Sequence, residues 1–184
     1  SLIVLIKNIL IIIIYFFSGF IKKNKNRWCL GSWRGQIFRG NIKYLYEYIK
    51  ENQKDIEVFW YSKSKKIYEK LKREGIDCVY AYSYTGVYKI LTSKFIFLSH
   101  GIVDINACFV RNSNLIKVGH ITFSIKETSL RRILEKKNFL EKIEIFLHNF
   151  PNYIIKSHYQ IFSSKYSHEN LKISDVSFPK KHLI

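Results

Sequence analysis

The chain has no methionine, three cysteines, and 14 acidic residues against 31 basic ones. Each shortage narrows the reading. Cys29, Cys78 and Cys108 are odd in number and widely spaced, with no CxxC pair and no His/Cys cluster. That spacing argues against a structural zinc site and against a disulfide framework. Reduced thiols in a cytosol-facing domain are the simplest reading. GxGxxG, Walker A, GxSxG and HExxH patterns are also missing, so nucleotide binding or hydrolysis by those devices is unsupported. No metal or cofactor is called for. No RNP, KH, zinc-finger or clear helix-turn-helix pattern occurs, so a specific nucleic-acid partner rests on charge alone. A start at Ser1 without any Met suggests a processed or fragmentary chain.

What is present begins with charge and apolar content. The 184 residues suit one domain, or one domain plus appendages, and a hydrophobic fraction of 47% is ample for a core. The net charge of +17 favours an anionic partner: nucleic acid, anionic lipid or a phosphorylated substrate. Part of the Lys and Asn excess is what an A/T-rich coding sequence would produce.

Leu2 to Ile21 (LIVLIKNILIIIIYFFSGFI) is about the length that spans a bilayer, interrupted only by Lys7 and Asn8. Lys22, Lys23, Lys25 and Arg27 follow, a flank that favours the cytoplasmic side. No small-residue cleavage site is evident, so an anchor is favoured over a cleaved signal. Lys7 leaves open a helix lying in the interface of an anionic leaflet, and a buried core helix is the third possibility. Residues 1–27 are therefore set apart as a membrane-anchoring or interfacial helix with a basic flank, and residues 28–184 as the domain proper.

In the domain, Trp28 to Gly40 is rich in Gly and aromatics and reads as a loop or turn-strand segment. Asn41 is placed to cap a helix over Asn41–Asn52, whose Ile42, Leu45, Tyr46 and Ile49 form one stripe. Strands are expected at Asp55–Ser62, Asp77–Tyr82, Phe95–Ser99, Leu115–Gly119 and Tyr153–Ile155. Helices are expected at Ser64–Glu74, Thr85–Ser93, Ser129–Asn149 and Ser164–Leu171. This alternation predicts an α/β fold, a Rossmann-like parallel sheet flanked by helices.

Two apolar runs end in histidine: Lys94 to Gly101 (KFIFLSHG) and Leu115 to His120 (LIKVGH). Ligands of open α/β sheets bind beyond the carboxyl ends of strands, so His100 and His120 could face one crevice. The plainer alternative is two polar residues capping two strands. A histidine near its ordinary pKa suits general-base work. Asp104, four residues after His100, could orient an imidazole, coordinate a cation or cap a turn. Asn106 completes this group, and basic residues around the crevice could hold a phosphate.

Several segments in order resemble the CDP-glycerol glycerophosphotransferase family, whose members polymerise teichoic-acid-like poly(polyol phosphate) and have relatives in capsule synthesis. Gly31-Ser32-Trp33-Arg34-Gly35 through Tyr48 resembles the family's opening. Ser99-His100-Gly101 with Asp104-Ile105-Asn106 resembles its next signature. His120 falls where the family has Trp-His-Gly-Thr-Pro-Leu-Lys-Lys, and Thr122 and Lys126 agree with that segment too. Ser177 to His182 lies where the family has Gly-Tyr-Pro-Arg-Asn-Asp, with Lys180 for Arg and His182 for Asp.

The resemblance implies the N-terminal half of a GT-B-like fold, with the donor-binding C-terminal domain absent from a truncated enzyme that is inactive alone. It implies His120 as catalytic base, and His100, Gly101, Asp104, Asn106, Thr122 and Lys126 as acceptor-binding residues. The implied partners are a CDP-polyol donor, a membrane-linked polyol-phosphate acceptor and an anionic membrane surface, at the cytoplasmic face of the cell membrane. The alternatives are a catalytically degenerate membrane-associated binding module and, third, a basic nucleic-acid-binding protein.

Overall fold

A computed structural model describes residues 2–118, 138, 155 and 159–161. Helix α1 (Leu2–Ser18) leads into strand β1 (Asn24–Gly31), followed by α2 (Asn41–Asn52), β2 (Glu57–Ser62), α3 (Lys65–Arg73), β3 (Cys78–Tyr80), α4 (Tyr84–Thr92), β4 (Ser93–Leu98), β5 (Asn114–Val118) and β6 (Tyr159–Ile161). The strands form one sheet in the order β3-β2-β1-β4-β5-β6, and every pairing is parallel. The expected α/β architecture with a helix-flanked parallel sheet is the one found.

Side-chain alternation along the strands explains how both faces of the sheet are covered. Cys29, Phe59, Tyr61, Ile96, Leu98 and Leu115 lie in one apolar cluster, which also receives Ile90 of α4 and Tyr15 of α1. Their neighbours Leu30, Val58, Trp60 and Phe97 lie in the other, with Ile42, Tyr46 and Ile49 of α2 and Leu71 of α3. A strand exposes successive residues to opposite faces, so an unbroken apolar run such as Val58–Tyr61 can be buried only between two layers. Register fixes the aromatic packing: Trp28 pairs with Phe95 and Leu30 with Phe97, and the Trp28 ring lies 5.3 Å from Phe95 and 5.4 Å from Phe97.

Three local expectations are corrected. The segment read as loop or turn-strand from Trp28 contains the second half of β1, a central strand that begins at Asn24 inside the basic flank. Its first three residues are exposed, and only Trp28 to Gly31 carry the apolar signal. Asn41 is not the cap of α2. Gly40 occupies that position with φ 81°, and no side chain caps the helix there. Residue 155 is a bend rather than a strand end; Ile155 is buried in the first cluster, and the last described strand is Tyr159–Ile161. The helices expected at Ser129–Asn149 and Ser164–Leu171 lie outside the described residues, apart from exposed Asn138 in the first.

Helix α1 lies along the domain. Asn8 and Ser18 are buried, Tyr15 packs on the core, and Ser18 Oγ accepts from Arg111 N at 3.3 Å. The Arg111 guanidinium sits over the Phe16 ring at 4.3 Å, and Asn112 Nδ2 donates to Gly19 O at 2.9 Å. Lys23 closes the junction by donating to Leu91 O at 2.6 Å. Burial and then neighbouring Lys94 lower its pKa to about 8. Among the described residues, no helix is long and apolar enough to cross a membrane.

The start of α4 is tightly built. Ser83 Oγ caps it by accepting from Gly86 N at 3.0 Å and itself donates to Tyr80 O at 2.8 Å. A Cβ at position 86 would collide with that same Tyr80 carbonyl. Gly→Ala within a helix ordinarily gains up to about 1 kcal/mol. Here the steric cost wins: Gly86→Ala should destabilise by about 1–3 kcal/mol. The check is a lower urea midpoint with an unchanged denaturant slope.

Candidate active site at the sheet switch point

The strand order reverses between β1 and β4. Both strands run the same way, but their successors depart in opposite directions, which opens a crevice beyond their carboxyl ends. Two short loops form it. After β1 come Ser32, then Trp33 (φ 48°), Arg34 (φ 59°) and Gly35 (φ 74°), three residues in the left-handed region. After β4 come Ser99, His100 and Gly101, then a 3-10 turn at Ile102–Asp104.

Non-glycine residues at positive φ cost energy and persist only where surroundings over-determine them. Here the surroundings are Asp104. Its side chain is fully buried, and Oδ1 accepts from Arg34 N at 2.7 Å. Oδ2 accepts from Ser99 N at 2.9 Å, from His100 N at 2.8 Å and from Ser99 Oγ at 3.2 Å. One carboxylate thereby receives three backbone N–H groups and a hydroxyl, which compensates its burial without a direct cation.

Strand β2 braces the arrangement from the other side. Ser62 Oγ donates to Gly35 O at 3.1 Å, and Lys63 N donates to the same oxygen at 2.8 Å. A side chain at Gly35 would run into Lys63, so position 35 needs glycine for both its φ and its neighbour. Lys63 Nζ crosses to the β4 loop and donates to Val103 O at 2.9 Å and Ile105 O at 2.7 Å. Burial pushes its pKa down, and the Asp104 charge partly offsets this.

His100 sits at the mouth, with its ring centroid 4.7 Å from that of Trp33. Its Nδ1 is 2.7 Å from Ser99 Oγ, which is 2.8 Å from Ser32 Oγ. Asp104 Oδ1 is 4.0 Å from the same Nδ1. The Ser, His and Asp are close but do not form a hydrolase triad. In a triad the serine and the acid engage opposite ring nitrogens, whereas both approach Nδ1 here.

Of the residues singled out in the sequence, His100, Gly101 and Asp104 therefore meet at the crevice. Asp104 acts as the organiser of turns, the third of the roles open to it. Asn106 starts the next 3-10 turn, its carbonyl accepting from Phe109 N at 3.2 Å. His120, Thr122 and Lys126 lie outside the described residues. Sequence reasoning passed over Ser32, Lys63 and Ser99 as site residues. The available signal was the Gly-bounded GSWRG segment and a hydroxyl directly before the first strand-end histidine. Among the described residues no group of three His, Cys, Asp or Glu side chains could hold a metal ion.

Removing the carboxylate tests this account. Asp104→Ala leaves the Arg34, Ser99 and His100 N–H groups without their acceptor. It should cost about 3 kcal/mol or more, since a single hydrogen bond to a charged group contributes about 1.5–3 kcal/mol. Thermal or urea unfolding measures the loss, and amide exchange should accelerate at those three residues. Unchanged stability would show that the two loops hold their shape independently of it.

Comparison with known proteins places this geometry. The family model described as CDP-Glycerol:Poly(glycerophosphate) glycerophosphotransferase matches residues 13–181. The solved structure of the wall teichoic acid polymerase TagF is similar over 98% of this chain and 44% of its own, with TM-score 0.58 and 13% identity. A variant of that polymerase soaked with CDPG is similar over 98% of this chain and 45% of its own, with TM-score 0.54 and 12% identity. At these identities the likeness concerns the fold. The chain spans less than half the length of the polymerase structures it matches. No curated protein sequence matches it.

Proposed function

The chain belongs to the CDP-glycerol:poly(glycerophosphate) glycerophosphotransferase family, and on that premise we propose that it forms the acceptor-side portion of a CDP-polyol phosphotransferase. The observation that carries the reading is the pair of loops after β1 and β4, locked by Asp104 around a crevice at the sheet's switch point. The reaction is phosphotransfer to a growing cell-surface poly(polyol phosphate). A terminal hydroxyl oxygen of the acceptor attacks the polyol-bearing phosphorus of the CDP-polyol. A new P–O bond forms, the bond to the bridging oxygen breaks, and CMP leaves with that oxygen.

In this reading His120 takes the hydroxyl proton, while Thr122 and Lys126 hold acceptor oxygens. The gain over the uncatalysed reaction comes from positioning and charge stabilisation. This reading leaves the CDP-linked donor to a separate donor domain. Supplied with such a domain, CDP-glycerol and a lipid-linked acceptor, it should release CMP. His120→Ala should lower that rate by about 10²–10⁴-fold, the usual contribution of a general base. An unchanged rate would overturn the assignment.

A lipid-linked acceptor requires the crevice to work at a membrane surface. The reading places the chain on the cytoplasmic face, held there by α1. The outward face of α1 exposes Ile6, Ile9, Leu10, Phe16 and Phe17, and Phe20 follows it at 85% exposure. Contacts from Asn8 to Ser18 hold the opposite face along the domain, so the helix is suited to lie in the interface rather than cross it. Lys7, Lys22 and Lys25 supply charge for an anionic leaflet. Vesicles of phosphatidylglycerol should co-sediment the chain more than phosphatidylcholine vesicles, and added salt should reduce the difference. The double variant Phe17→Asp/Phe20→Asp should lose at least about tenfold in partitioning, because each buried Phe contributes about 1.5–3 kcal/mol. Retention by the double variant would remove α1 from the interface.

A further inference from the structure

We propose that Arg34 holds a phosphate of the polyol-phosphate acceptor through its guanidinium. The inference rests on the acceptor-side reading above and gives that crevice a residue for the anionic part of its ligand.

The backbone of Arg34 and its side chain need separate explanations. Arg34 sits at φ 59° and ψ 26°, and its N–H donates to Asp104 Oδ1 at 2.7 Å. Any residue but proline supplies that N–H. Glycine would supply it without the steric strain that a Cβ meets at positive φ. The next residue of the turn is held through Gly35 O, by Ser62 Oγ and Lys63 N. The lock between the two loops therefore uses the amide of Arg34 and nothing of its side chain. Strain kept at a non-glycine residue points to function. Here it sets a long cationic side chain on a loop whose main chain is fixed from both sides.

The cation is also uncommitted. Arg34 is exposed, and among the described residues no hydrogen bond, ion pair or aromatic ring engages its guanidinium. Other arginines are engaged: Arg27 with Glu57 at 2.7 Å, Arg73 with Glu69 O at 3.4 Å, and Arg111 over the Phe16 ring. Asp104 is the sole acid in residues 32–40 and 99–106. It is fully buried, and its oxygens accept from backbone N–H groups and the Ser99 hydroxyl. The Lys63 ammonium is committed to Val103 O and Ile105 O. A guanidinium is planar and permanently charged, and its fork matches two oxygens of a phosphate. Trp33, one residue earlier, is partly exposed and offers an apolar surface beside the cation. An adjacent ring and cation suit a ligand that alternates carbon atoms with phosphates.

The experiment is titration calorimetry on this chain with a soluble glycerol phosphate trimer, beside urea unfolding of each variant. Arg34→Gly should keep or raise the urea midpoint, because glycine adopts φ 59° without strain. It should nevertheless weaken trimer binding roughly tenfold or more, the size of one hydrogen bond to a charged group. Arg34→Gln, which removes the charge and keeps much of the length, should weaken it similarly. Arg73→Gln removes one charge from the exposed end of α3 and should bind as the wild type does. An equal loss in Arg73→Gln would reduce the effect to net charge and overturn the proposal. Undiminished binding by Arg34→Gln, or no binding by the wild type, would overturn it too. A lower urea midpoint in Arg34→Gly would make the side chain structural instead. CDP-glycerol separates the two sources of phosphate: if its binding alone depends on Arg34, the contact belongs to the donor and the assignment falls. None of these readouts requires turnover. Loss of the His120 assignment in the CMP assay is therefore distinguishable from loss of this one.

Discussion

The Asp104 carboxylate is the constraint on which the upper edge of the fold depends. It ties the loop after β1 to the loop after β4, across the point where the sheet reverses its order. Neither loop is stable on local grounds. Trp33 and Arg34 sit at positive φ, and the Ser99 and His100 amides point inward from water. A buried carboxylate with no donors would be costly, and buried amides with no acceptor would be costly too. Placed together, each offsets the other. The result is a rigid polar centre where a parallel α/β sheet offers a ligand the most room.

Below that centre, the chain obeys simple rules that were legible in its sequence. The runs Val58 to Tyr61 and Phe95 to Leu98 are too apolar and too short to be anything but strands buried on both faces. The stripe of Ile42, Tyr46 and Ile49 needed an apolar surface, and the sheet face carrying Leu30, Val58, Trp60 and Phe97 could not cover itself. β1 was harder because its pattern is split. Asn24, Lys25 and Asn26 are exposed and resemble a basic linker, while Trp28 to Gly31 resemble a loop opening. Its pairing with β4 even shifts register between Asn24 and Trp28. Non-local pairing on both sides, with β2 and β4, makes that stretch a strand, and no local window contains this information.

The candidate site was legible by type but not by role. A histidine at the end of an apolar run announces a strand end near a ligand crevice. Asp104, four residues on, offered three roles with nothing in the spacing to choose among them. The choice depends on the backbone of residues 34, 99 and 100, which only the fold brings within reach. Ser99 was passed over for a related reason. A hydroxyl directly before a strand-end histidine is a signal, but its role appears only when the fold sets it between a carboxylate and an imidazole. Lys63 is the clearest case of charge misdirecting the eye. Among 31 basic residues it looks like one more solvated cation, yet its ammonium is spent on two carbonyls of the β4 loop.

That distinction separates the two kinds of electrostatics in this protein. A net charge of +17 is a long-range property, suited to drawing the chain toward an anionic surface and weakened by salt within about 10 Å. It cannot discriminate one oxygen of a polyol phosphate from another. At the switch point two charges are committed: Asp104 to backbone amides and a hydroxyl, Lys63 to backbone carbonyls. What Ser32, Ser99 and His100 add is directional, a chain of side chains linked at 2.8 Å and 2.7 Å beside one buried carboxylate.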